Sequence, residues 1–166
     1  MRRWLSAMIV AFVAMGQASA QELKMSDVFR QMPDSLMPYL SQNNRLDFID
    51  FIESGMKAKV SNQLDGTSEM TALADDSLSI RMSESLRIDL LLLNLSEPVD
   101  SVSQIVVMIE SFLTDSIYGE SRVSYYTPEW QLMAKMPPLS ESQIARIRKH
   151  KVQNIVKKDD EITNER

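Results

Sequence analysis

Between Ser77 and Leu95 apolar and polar residues alternate almost without a break, and this period of two constrains the fold more than any other feature of the chain. Leu78, Ile80 and Met82 alternate with Ser77, Ser79 and Arg81, as in a strand with one buried face. Ser83-Glu84-Ser85 makes a short turn, after which Leu86, Ile88, Leu90 and Leu92 resume the alternation opposite Arg87 and Asp89. Leu91, Leu93 and Leu95 then fill the opposing positions too, so this second strand enters with one wet face and ends buried on both. The uninterrupted apolar run at residues 105–109 reads as a central strand. Residues 122–126 and 129–133 complete the set, with Pro128 between them confining that junction to an edge or a bend. The connections are a loop at residues 96–103, which holds Pro98, and a turn at residues 114–119. Both are too short for a helical crossover, so neighbouring strands run antiparallel.

Helical periodicity lies on either side of this sheet. Ser26-Asp27 starts a short helix, and Met32-Pro33 and Met37-Pro38 break the next stretch into turns, because proline fixes φ and pushes its predecessor out of helix. Beyond them Asn44 can cap, Asp47 sits in the first turn, and Leu46, Ile49, Ile52 and Met56 recur at helical spacing, with Phe48 and Phe51 widening that face. Gly55 marks the end, where a left-handed residue is usual. After Pro137-Pro138, Ser140 and Gln143 form a capping box before a helix with sparse apolar positions, Ile144, Ile147, Ile155 and Val156. Arg146, Arg148, Lys149, Lys151, Lys157 and Lys158 make it basic. The expected fold is α+β: an antiparallel β-meander of about five or six strands covered by an N-terminal helix, with a C-terminal basic helix. Residues 21–139 form one domain in this reading, and residues 140–166 a basic helix that runs into a disordered end from Asp159.

The first twenty residues read differently. Arg2 and Arg3 form a positive start, residues 4–15 are predominantly apolar, and Ala18-Ser19-Ala20 is a small-residue cleavage site, so residues 1–20 are expected to be a secretory signal peptide cut between Ala20 and Gln21. The stretch is too short for a span of about 20 apolar residues, since Gly16, Gln17 and Ser19 follow at once. No cysteine occurs, which excludes both a lipid-attachment cysteine and a disulfide framework. Cleavage removes two arginines and no acid, so the formal charge of −5 becomes −7, sixteen cations against 23 acids. Nucleic acid is then a poor partner, because phosphate binding needs clustered Lys and Arg.

The chemistry-bearing residues are few. His150 is the only histidine, and it sits among lysines and arginines, where a solvated position is the simplest reading. With no cysteine beside it, His/Cys metal sites fall away as well. Asp47, Asp50 and Glu53 recur every three residues and could in principle divide the work of glycoside hydrolysis, but a polar helix face explains them without further assumption. Asp65-Gly66 and Asp75-Asp76 match turn chemistry better than a twelve-residue calcium loop. The chain has only four glycines and no phosphate-binding glycine loop, so no cofactor is expected. Met56, Met70, Met82 and Met108 fit core positions, where an adaptable side chain fills gaps. No catalytic, cofactor-binding or metal-ligating residue is assigned.

Over residues 25–95 the chain resembles a family of exported Bacteroidales proteins of unknown function, DUF3256. The resemblance rests on Met32-Pro33-Asp34-Ser35-Leu36 with Pro38, on Asn44-Arg45-Leu46-Asp47 through Asp50-Phe51, and on Asn62 and Gly66 before the strands. It covers about half of the mature chain, and the basic residues 140–166 depart from the non-basic sequence expected after the Trp130 region. It implies a Gram-negative periplasm and supplies no activity. It also implies a host that attaches O-glycans at Asp followed by Ser or Thr and an apolar residue. Four such triplets occur, placing possible O-glycosylation at Ser101 and Ser116, preferred for their loops, and at Ser35 and Ser77. Asp-Ser is equally at home in turns for conformational reasons. The functional expectation is a non-catalytic periplasmic protein that binds a partner or ligand of the cell envelope, a protein or a glycan, with a carboxylate-dependent hydrolase of envelope glycan or peptide as the alternative. The site is expected to combine the sheet with residues 96–103 and 114–119, where Tyr118 could supply contact area, although packing against the domain is its simpler role.

Overall fold

The computed structural model describes residues 23–113 and 119–151. The expected signal peptide at residues 1–20 with its expected cleavage site, Ser116, Tyr118, and the residues from Val152 onward lie outside them.

The chain opens with helix α1, Met25–Arg30, whose Met25, Val28 and Phe29 are buried. A single 3-10 turn, Asp34–Leu36, leads to helix α2, Gln42–Glu53. The cap of α2 is Ser41 and not Asn44, which occupies the third helical position of a capping box. The Asn44 backbone N–H donates to Ser41 Oγ at 3.2 Å, and Asn44 Oδ1 accepts from the Ser41 N–H at 3.2 Å. At its other end Gly55 takes φ +69°, its N–H donates to the Ile52 carbonyl, and the Met56 N–H donates to the Phe51 carbonyl at 2.8 Å. That pair of bonds is a Schellman turn, and it swings Met56 out to 54% exposure, so Met56 is not the core residue its spacing predicts. The buried face of α2 is Arg45, Phe48 and Ile49. Arg45 is 1% exposed; its Nη1 donates to the Leu40 carbonyl at 3.0 Å, and its Nη2 to the Met32 carbonyl and to Asp34 Oδ1 at 2.7 Å each. One guanidinium thus supplies donors to two carbonyls of the proline-broken segment that no helix could satisfy.

Six antiparallel strands follow in an unbroken meander, in the spatial order β1 to β6: β1 Lys59–Ser61, β2 Thr67–Ala74, β3 Ser77–Arg81, β4 Leu86–Val99, β5 Val102–Leu113 and β6 Gly119–Tyr126. The expected α+β meander is the observed one, with three differences in detail. First, β1 and β2 fall where no strand is predicted: β1 is only three residues long, and the register of β2 shifts between Met70 and Ala72, so that Ser68 and Met70 are buried on one parity and Leu73 faces Leu78 on the other, which erases the period of two. Second, residues 96–103 are not a loop. Strand β4 carries Pro98 through an irregularity between Asn94 and Val99, and Asp100-Ser101 alone turns the chain into β5. Third, the strand expected at residues 129–133 is reduced to one bridge, Tyr126 to Leu132, because Trp130 takes φ +64° and breaks the extended run.

The sheet has two buried faces. On the first, Leu78, Ile80, Met82, Ile88, Leu90, Leu92, Val106 and Met108 meet α1, α2 and Trp130. On the second, Leu91, Leu93, Leu95, Ile105, Val107 and Ile109 form a separate aliphatic cluster. Its cover includes Ile147 from helix α3, Glu141–His150, which begins with the Ser140–Gln143 capping box. These two layers are why β4 and β5 read as apolar on both parities.

Candidate binding hollow at one end of the sheet

The turns β1–β2 and β3–β4 lie at the same end of the sheet, and the chemistry there begins with Asn62. Its side-chain oxygen accepts from the N–H of Leu64 at 3.0 Å and of Gly66 at 3.1 Å, while its amide nitrogen donates to Ser68 Oγ at 3.1 Å and to the Met82 carbonyl at 3.2 Å. Ser68, fully buried, donates to the same carbonyl at 2.8 Å. The turn is wound closely around one side chain: a Cβ on Gly66 would stand 3.4 Å from the Asn62 amide, in contact with it. It also leaves Leu64 facing outward, 62% exposed.

Two backbone bonds bring the rest of the rim together. The Gln63 N–H donates to the Tyr39 carbonyl at 3.0 Å, tying the helical layer to this turn, and the Leu113 N–H donates to the Ser85 carbonyl at 2.9 Å, tying β5 to the next. Because Leu86 pairs with Phe112, both reach the first face at this end. Tyr39, Leu64, Met82, Leu86 and Phe112, with Asn62, Ser83 and Ser85, enclose a hollow of about 220 Å³, and Phe112 is 42% exposed at its edge. Its wall is predominantly apolar, its Asn62 amide is already spent on the turn, and the Ser83 and Ser85 hydroxyls lie 3.3 Å from each other, so what it could offer a bound group is chiefly hydrophobic shape.

Behind the Ser83 turn, on the second face, lies a polar hollow of about 510 Å³ lined by Lys59, Thr67, Glu69, Arg81, Ser83 and Glu84. Glu69 contacts the Arg81 guanidinium and lies 3.5 Å from Lys57 Nζ. Partial burial pushes its carboxyl up, but hydrogen bonding to Arg81 and the charges of Lys57 and Arg81 outweigh burial and hold it below the usual carboxylate range.

Of the acids singled out in the sequence, two share a partner and the others are apart. Asp50 and Glu53 stand 3.9 and 3.6 Å from Arg30 and strap α1 to α2. Asp65 occupies a left-handed turn position, φ +56°. Asp76 pairs with Arg146 of α3 at 2.7 Å. His150 is no solvated tail residue: it is 28% exposed on its side chain, with Nδ1 3.3 Å from the carboxylate of Asp89, a buried acid on β4. Among the described residues no three of His, Asp and Glu come together as metal ligands, and no helix is long and apolar enough to cross a membrane.

The predicted modification sites separate by accessibility. Ser35 and Ser101 are exposed, whereas Ser77 is half-buried beside the buried Leu78 and donates to Asp76. The two loops expected to share a site stand at opposite ends of β5, since Val99 pairs with Val102 at one end and Leu113 with Gly119 at the other.

The sequence profile of DUF3256, a protein of unknown function, matches residues 16–164. The chain belongs to this family. The match extends through the basic residues 140–164, so that segment is part of the family pattern and not a departure from it. No curated protein matches the chain. Among solved structures it is similar to that of a domain of an uncharacterized protein from Porphyromonas gingivalis W83, with a TM-score of 0.54 and 20% sequence identity over 71% of this chain. That similarity is one of fold, and this chain spans 63% of the other. The residues that carry the likeness to DUF3256 are scaffold: Asp34 and Arg45 pin the proline-broken segment, and Asn62 with Gly66 builds the turn that presents Leu64.

Proposed function

We propose that this DUF3256 protein is exported to the periplasm by a signal peptide cut after Ala20, and that it works there without catalysis by binding a partner or ligand of the cell envelope in the apolar hollow. The observation that carries this reading is the convergence of Tyr39, Leu64 and Phe112, large apolar residues from three separate segments, around one concavity. Such residues are normally spent on a core, and grouped exposure of this kind is typical of binding surfaces. The hydrolase alternative has less support. A pair of carboxylates divides into acid and base when one is held neutral, and the cations around Glu69, which shares the polar hollow with Glu84, push it the other way.

The test is a photo-cross-linking residue placed at Phe112, or at the exposed Glu97 as a control, in protein expressed in its natural host. Export predicts a mature N-terminus at Gln21 in the periplasmic fraction. Binding predicts a discrete adduct from position 112 that disappears in the Leu64→Asp background and is absent from position 97. Equal labelling at both positions, or cleavage of an envelope glycan or peptide library that is lost in Glu69→Gln, replaces this reading with another.

A further inference from the structure

The size of the apolar hollow and the charge at its rim together narrow what can fill it. Its volume is about 220 Å³. Pockets that enclose a free small molecule run from roughly 300 to 1,000 Å³, while a cavity of about 150 Å³ already takes a benzene-sized group. The hollow therefore has room for one aromatic or branched aliphatic side chain, the size of a peptide's anchor residue. Its rim is acidic. Asp65 follows Leu64 in the β1–β2 turn, and Glu84, between Ser83 and Ser85, stands at the boundary of this hollow and the polar one. Both acids are exposed, and among the described residues neither is in an ion pair. The cations around them are committed elsewhere: Arg81 and Lys57 to Glu69, and Arg122 to Glu110 beside Phe112. Lys59 lies behind them, in the polar hollow on the second face.

We propose, resting on the reading of the hollow as a binding site, that its occupant is one aromatic or branched side chain of a partner protein segment, flanked in sequence by lysine or arginine. The anchor packs against Leu64 and Phe112, and the flanking cations meet Asp65 and Glu84, the two rim charges left without a partner. Tyr39 and Phe112 add to this preference, since each is more than a third exposed and the face of an aromatic ring attracts a cation. An anionic group at the same rim meets two carboxylates and no uncommitted cation on the first face. Exposed charges of this kind act weakly one by one and are screened by salt, so the apolar anchor supplies the affinity and the rim supplies the choice of segment.

The test is an NMR titration of the mature protein with short synthetic peptides centred on Lys-Phe-Lys, Glu-Phe-Glu or Lys-Ala-Lys. The first should shift the amides of Leu64, Ser85 and Leu113 to saturation, the second should bind roughly tenfold more weakly with a gap that narrows as salt rises, and the third should leave those amides in place. Asp65→Asn combined with Glu84→Gln should equalise the first two; asparagine keeps the left-handed position that Asp65 holds at φ +56°, and the amide spectrum of the variant reports its fold. Equal binding of the Lys-Phe-Lys and Glu-Phe-Glu peptides to the parent, shifts of the same size from Lys-Ala-Lys, a preference that survives in the folded double variant, or displacement of the Lys-Phe-Lys peptide by an equal concentration of decanol would each overturn the proposal, the last in favour of an acyl chain. An adduct from position 112 in cells, with no binding of these peptides, would overturn it while leaving the hollow a binding site; absence of both would remove the site itself.

Discussion

Asp89 of β4 and His150, the last residue of α3, face each other at 3.3 Å, and the buried carboxylate between them also receives Ser79 Oγ and, at 2.8 Å, Arg87 Nε. Arg87 in turn donates to the His150 carbonyl, so one acid and one guanidinium hold the end of α3 on the sheet. Asp89→Ala removes the acceptor common to Ser79 and Arg87 and the partner of His150, and is expected to cost roughly 2–4 kcal/mol, somewhat less than for a fully buried pair because Arg87 reaches solvent. His150→Ala, which removes the 3.3 Å contact with Asp89, should cost less, on the order of 1 kcal/mol or below. Urea denaturation of both variants measures the difference, and equal losses would mean that Asp89 does not organise the group.

A second tie of the same helix should respond to acid. Hydrogen bonding to Arg146 holds the Asp76 carboxyl below its ordinary range against the smaller effect of burial. A folded-state pKa below the unfolded one gives stability that is present above the unfolded value, about 3.9, and is lost as pH falls through the folded value. The amides of α3 should therefore lose hydrogen-exchange protection below about pH 4, before the strands do. In Arg146→Ala the Asp76 carboxyl, followed by NMR, should titrate higher than in the parent.

Val107 is fully buried and lies between Leu91 and Tyr125 on the second face. A charge there has no partner and costs several kcal/mol against a total stability of about 5–15, so Val107→Asp should unfold the protein. A melting curve like that of the parent would mean that β5 is not central.

The β4–β5 turn is strained by its own residues. Asp100 and Ser101 both take positive φ, +50° and +68°, the backbone of a two-residue turn that favours Asn-Gly. Asp100→Asn with Ser101→Gly should raise stability by about 1 kcal/mol, read as a higher urea midpoint with an unchanged slope.

Ser101 is also the residue we propose as an O-glycan acceptor, with Ser35 second, because both are exposed. Intact mass of protein from the natural periplasm should exceed that of the cleaved polypeptide, and the increment should fall in Ser101→Gly and persist in Ser77→Ala. A mass equal to the bare chain removes the idea.

How much of this fold is legible in the sequence depends on distance along the chain. Leu91, Leu93 and Leu95, with the run at residues 105–109, disclose the double burial of β4 and β5 because each strand records both of its faces locally. Strand β2 conceals itself, since the irregularity after Met70 moves Leu73 to the other parity. The hollow left partial signs: Leu64 is an apolar residue among polar ones in a turn, and Phe112-Leu113 continues past the end of an apolar run. They are joined by the pairing of Leu86 with Phe112 and the bond from Gln63 to Tyr39, relations that no local pattern contains. His150 eluded the sequence for the same reason, because its partner Asp89 lies on a distant strand.

The buried indole of Trp130 donates to the Val28 carbonyl at 2.9 Å, across 102 residues of chain. Most of the meander forms between neighbours in sequence and can assemble as soon as each hairpin is present, whereas this closure needs nearly the whole polypeptide. A chain threaded through a translocation pore from its N-terminus would deliver α1 first and then have to keep Val28, Phe29 and Met25 uncovered until Trp130 arrived. If the proposed export takes place, those few apolar residues would be the ones in need of a chaperone on the way, and a chain truncated before Trp130 would expose them permanently to proteases.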